Sequence, residues 1–157
     1  MSNQIDQKLF IDSLNGFLNE TFNSVEGIYL DKGTSLFETL NSITAEEAST
    51  PARPGGTTIA AHAFHIDYYL VVISAYMKGT WPEKVDWKAS WQTKTVNDNE
   101  WETLKNKLST TRDEVLKQIN SFDDWNDDKR IGGAMAVVVH TAFHIGALRQ
   151  ILKAVKP

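Results

Sequence analysis

The chain has no cysteine in its 157 residues. That excludes disulfides as a source of stability and leaves only nitrogen and oxygen donors for any bound metal. A disulfide-free chain suits the cytoplasm, which is the expected location. Long apolar runs are also missing. The longest, Leu70–Tyr76 (broken by Ser74) and Ala134–Val139, fall far short of the ~20 residues that span a bilayer, so no membrane partner is expected. Basic clusters are absent too: 16 Lys and Arg stand scattered against 20 Asp and Glu, for a net charge of −4. Phosphate neutralisation needs a basic face, so no nucleic acid partner is expected. The opening stretch MSNQIDQKLFIDSLNGF has no basic segment leading into an apolar one, and no secretory signal is read there.

What remains is a chain of ordinary apolar and charged content, long enough to bury its own core and read as one domain over residues 1–157. Its patterning is helical throughout. Phe10, Leu14, Phe17, Leu18 and Phe22 form one stripe over residues 5–24. Gly27 and Gly33 punctuate the break that follows. Ser35 with Glu38 makes a capping box for a short helix over about 35–44, and Thr44 with Glu47 offers caps for one more turn. Pro51 and Pro54 in PARPGG stop helix there. Thr57 or Thr58 then caps a long helix running to Lys78 and ending at Gly79. Residues 80–96 show no helical period but hold Trp81, Trp87 and Trp91. Asn97 with Glu100 opens a helix to about residue 122, a polar turn covers Asp123–Arg130, and a last helix covers about Ile131–Val155. Four long helices imply an all-α, antiparallel four-helix bundle with one extra short helix and a Trp-rich connection.

Histidine occurs four times, in two pairs of helical spacing: His62 and His65, then His140 and His144. Residues three or four apart share a helix face. Two such pairs on facing helices would surround one point with imidazoles, as metal sites in bundles do. The i,i+4 pair could present two nitrogens to one ion, and a third would have to come from His65 or His62. Three protein ligands with an open fourth position is the pattern of a catalytic metal site. Core histidines bonded to backbone show the same spacing, and the spacing alone leaves both readings open. Imidazole suits zinc, nickel and iron.

TIAAHAFHIDYYL, the tryptophan-rich middle with DWKASW and the final HTAFHIGALRQIL together resemble the DinB/YfiT-like superfamily of metal-binding four-helix bundles. The resemblance extends over nearly the whole chain, and its strongest element is the H-x-x-x-H-x-G-x-x-R run from His140 to Arg149. It implies a divalent ion held by His140, His144 and one histidine of the second long helix. Counting from Ile59 makes that histidine His65. His62 would replace it, add a fourth nitrogen or stand behind the ligands. The resemblance also implies a low-molecular-weight thiol and an electrophilic substrate as partners, and a transferase reaction; zinc or nickel is expected before iron, though imidazole suits all three. A homodimer is expected. The alternatives are a non-catalytic, stress-associated bundle that binds metal or small molecules, and a metal-dependent hydrolase. No Glu follows His140, so the zinc-peptidase motif H-E-x-x-H is absent.

Other residues carry plainer expectations. Asp67 lies about 200° around the helix from His65 and should face away from an ion. Tyr69 reads as a core residue first and a hydrogen-bond donor to substrate second. The three tryptophans read as a plug for the bundle end ahead of a lid over the pocket. Gly146 suggests close approach of another helix, including one across a dimer interface, or room beside an ion, and Arg149 a helix-end salt bridge rather than a substrate clamp.

Overall fold

A computed structural model describes residues 5–82 and 84–156. Residues 1–4, on which part of the signal-sequence reading rests, lie outside the described residues, as do residues 83 and 157. The described chain is helical, with no strand among the described residues. The elements are α1 (Gln7–Phe22), α2 (Leu36–Leu40), α3 (Ala45–Ser49), α4 (Ile59–Met77), α5 (Asp98–Asn120) and α6 (Asp128–Val155), with a 3-10 turn at Ala89–Trp91.

Caps set most of these boundaries. Ser35, Thr44 and Asn97 each accept a bond from the backbone of the residue three positions on, and Glu38, Glu47 and Glu100 reciprocate. Each box thus satisfies two amides that the first helical turn leaves orphaned. The Thr44 box opens a second short helix, so the long connection carries two rather than one. Thr58 caps α4. Asp127 caps α6 by accepting from the Lys129 amide, which starts that helix three residues before the apolar pattern does.

α4 is the central element: it packs against both α5 and α6, while α1 packs against α6. The core between them holds Leu18, Phe22, Ile59, Ile66, Leu70, Trp101, Leu108, Ile119, Ile145 and Leu148. Trp101 is placed by its indole N–H, which donates to the Ile43 carbonyl at 3.1 Å. The α4–α6 contact is close enough to require a glycine, and that glycine is Gly133. A Cβ there would overlap Met77 Cγ. At Gly146, by contrast, a Cβ would meet nothing within 4 Å. Within the chain, the close helix approach is thus at Gly133 and not at Gly146.

By length and composition α6 could cross a membrane, with a mean hydropathy of 1.6 over its best 18-residue window. The central helix of a bundle has the same properties. Here α6 carries two histidines and buries Ala134, Val137, Ile145 and Leu148 in the core. Its opposite face leaves Met135, Val139 and Phe143 exposed.

Two buried carboxylates also shape the scaffold. Glu20 accepts four backbone amides from the loop after α1: Glu26 at 2.9 Å, Ile28 at 2.8 Å, Tyr29 at 2.6 Å and Leu30 at 2.7 Å. Burial alone would raise its pKa, but the four amide bonds outweigh it and hold the carboxyl down at about 2. Asp67 points at α5, accepting from the Thr111 hydroxyl at 2.6 Å and pairing with Lys107 at 2.9 Å. It faces away from the histidines, as its angular position requires.

Candidate metal centre

α4 supplies His62 and His65, and α6 supplies His140 and His144. Helix contact across this pair brings the imidazoles together. His65, His140 and His144 form one group whose ligating nitrogens lie within 4.8 Å of each other. His140 Nε2 is 3.3 Å from His65 Nε2 and 3.2 Å from His144 Nε2. Nitrogens bound to zinc at 2.0–2.1 Å in a tetrahedron stand about 3.3–3.4 Å apart, so these separations match the edge of such a polyhedron. His62 lies outside this group. Its Nδ1 contacts His144 Nδ1 at 3.0 Å, and its Nε2 contacts Thr57 Oγ1 at 3.3 Å.

The protonation states suit ligation. Burial, assisted by mutual repulsion among the imidazoles, pulls His62 and His140 down to about 4 and His144 to about 3. Burial also lowers His65. All four rings are therefore neutral at pH 7, the form in which a ring nitrogen offers a lone pair.

Hydrogen bonding fixes which nitrogen of His65 is bare. Ser90, fully buried, donates its only proton to the Trp87 carbonyl at 2.7 Å. Its oxygen can then only accept from His65 Nδ1, 2.8 Å away. His65 thus carries its proton on Nδ1 and turns an unprotonated Nε2 toward His140. An outer acceptor of this kind orients a ligand histidine and raises its basicity. His140 Nε2 is the common neighbour of the other two Nε2 atoms: protonated it donates to one of them, and bare it joins them as a lone pair facing a shared point. The donor set, neutral and without a carboxylate among the described residues, fits a divalent ion that accepts imidazole.

Ser90 is the functional residue that periodicity missed. It sits on the 3-10 turn, whose place is set by side-chain to backbone bonds. Asp86 Oδ1 accepts from the Lys88 and Ala89 amides at 3.0 and 3.1 Å. The Tyr68 hydroxyl accepts from the Asp86 amide at 3.0 Å, and Thr58 donates to the Lys94 carbonyl at 2.8 Å. The one visible signal was the DWKASW string itself, where an Asp precedes a turn by two residues.

The tryptophans do not plug the bundle end. Trp81 and Trp87 are 55% and 41% exposed. Trp81 packs edge-on against Tyr76, and only Trp91 lies flat on the site, stacked on His65 with centroids 4.0 Å apart. Tyr69 is half-buried and stacks on His140 at 3.5 Å and 9°, so it fixes that ring's plane. His140 Nδ1 is buried and finds no partner among the described residues. Arg149 forms no ion pair among the described residues; it donates to the buried Thr39 hydroxyl at 3.3 Å and ties α6 to α2.

A model of the DinB superfamily matches residues 31–147, from the loop before α2 to a point beyond His144. No curated protein and no solved structure matches the chain.

Proposed function

The chain belongs to the DinB superfamily, and from that premise we propose that it is a divalent-metal-dependent enzyme whose ion is held by His65, His140 and His144. The observation that carries this reading is the pair of Nε2 separations, 3.3 and 3.2 Å, at the edge length of a tetrahedral nitrogen site. The third separation, His65 to His144, lies within 4.8 Å, and imidazole donors suit zinc, nickel and iron alike.

We further propose a transferase that uses a low-molecular-weight thiol. A divalent ion held by His65, His140 and His144 would supply the positive charge that keeps a thiol as its thiolate, the nucleophilic form, at neutral pH. Ser90 keeps His65 Nε2 bare, and Trp91 and Tyr69 hold the His65 and His140 rings in plane. The thiol follows from the family resemblance. The lack of a carboxylate in the group supports a thiol nucleophile over hydrolysis, because water attack at such a site calls for a general base.

The test is turnover. Metal-loaded protein is assayed against a panel of thiols and electrophilic acceptors, with His140→Ala as control. Metal-dependent consumption of thiol, lost in the variant while its helicity persists, supports the reading. A panel without metal-dependent turnover removes the transferase and leaves a non-catalytic metal-binding bundle. The homodimer belongs to the same proposal, and a monomer by sedimentation at micromolar concentration would remove it.

A further inference from the structure

His62 is buried one turn before His65, yet it does not join the group that faces the ion position. Its contacts are directional. Nδ1 lies 3.0 Å from His144 Nδ1, and Nε2 lies 3.3 Å from Thr57 Oγ1. The nitrogen of His144 that His62 touches is the one remote from the triad, because His144 Nε2 faces His140 at 3.2 Å.

Two neutral rings with nitrogens 3.0 Å apart share a single proton, so one donates and the other accepts. Were His62 the donor, the proton of His144 would sit on Nε2, aimed into the triad, and His144 could not ligate. With His144 Nδ1–H as donor, its Nε2 is bare and His62 Nδ1 accepts. His62 then bears its own proton on Nε2, the atom facing the Thr57 hydroxyl oxygen, which can accept it. The reverse row, with Thr57 donating to His62 Nε2 and His144 Nε2–H donating to His140, also pairs each nitrogen, but only the first assignment leaves His144 able to bind metal.

We propose that His62 is a positioning residue, the outer hydrogen-bond acceptor that fixes the tautomer and ring orientation of His144, and not a fourth ligand. The inference rests on the metal reading of the triad. It makes His62 the counterpart of Ser90: Ser90 orients His65 from the connection, and His62 orients His144 from α4. Such outer partners typically contribute 10–100-fold to metal affinity.

The test uses the full chain with two variants, His62→Phe and His62→Asn. Phe removes the acceptor and keeps a ring, while Asn places an amide oxygen where Nδ1 stands. Zinc affinity is measured by competition with a chromophoric chelator, and the ligand count by the absorption of the cobalt form. Expected for Phe is a 10–100-fold loss of affinity with 1:1 binding and an unchanged cobalt band pattern. For Asn, affinity returns to within a few-fold of the parent. Long-range imidazole nitrogen–proton NMR on the metal-free parent should show the proton on Nδ1 of His144 and on Nε2 of His62. Parental affinity in the Phe variant, a cobalt spectrum that loses a nitrogen ligand, or a proton on Nε2 of His144 would overturn the proposal. Should the parent take up no metal, the metal reading fails by itself, and the NMR tautomers still decide the role of His62.

Discussion

Replacing Ser90 with Ala removes one oxygen from a fully buried position. Two bonds go with it: the 2.8 Å contact from His65 Nδ1 and the 2.7 Å bond to the Trp87 carbonyl. The first loss leaves a buried N–H without an acceptor, at a cost of about 1–3 kcal/mol, and frees His65 to rotate or change tautomer. A ligand that has lost its outer partner typically binds metal 10–100-fold more weakly, or about 1.4–2.7 kcal/mol. The second loss loosens the 3-10 turn, so Trp91 should stack less firmly on His65. Zinc competition with a chromophoric chelator gives the affinity, and urea unfolding of the metal-free forms gives the stability. The expectation is one zinc per chain, bound 10–100-fold more weakly, with a stability loss of about 1–3 kcal/mol. A Ser90→Ala variant that folds and binds zinc within twofold of the parent would refute the assignment of Ser90 as the acceptor that sets His65.

Three more outcomes follow from the structure. In the metal-free protein the imidazoles are held below their unfolded value of 6.5, at about 4 for His62 and His140 and about 3 for His144. The unfolded chain therefore takes up protons first as pH falls, so stability is full above 6.5 and declines toward 4; a urea midpoint unchanged between pH 7.5 and 5 would contradict this. Glu20, held at about 2 against an ordinary 4.5, contributes stability that is complete above 4.5 and lost between 4.5 and 2. Glu20→Gln should lower stability at pH 7 and flatten the acid limb followed by circular dichroism. Gly133→Ala should destabilise by about 1–3 kcal/mol through overlap with Met77, whereas Gly146→Ala should be neutral or stabilise by up to about 1 kcal/mol; equal effects in thermal melts would show that the α4–α6 approach is misplaced.

The helices and their ends were legible because caps and periodicity are local. Ser35, Thr58 and Asn97 occupy the capping positions that their spacing indicates. The start of α6 was not, because Asp127 caps a turn with no apolar residue to mark it. The histidine pairs were visible from count and spacing, and the fold brings three of them together. Their supporting groups were hidden for a physical reason. Ser90 and Trp91 reach the site through a connection whose path is set by Asp86, Tyr68 and Thr58, bonds that leave no period in the sequence. The glycines show the same limit. Both lie in one helix, and only the packing of Met77 distinguishes the one that must be small.

The central claim is that His65, His140 and His144 hold a divalent ion. Elemental analysis of protein prepared without an affinity tag, before and after incubation with zinc, tests it most directly. The account predicts one ion per chain, lost in His140→Ala. A preparation that contains no stoichiometric ion and takes none up would contradict it and return the histidines to the role of core residues.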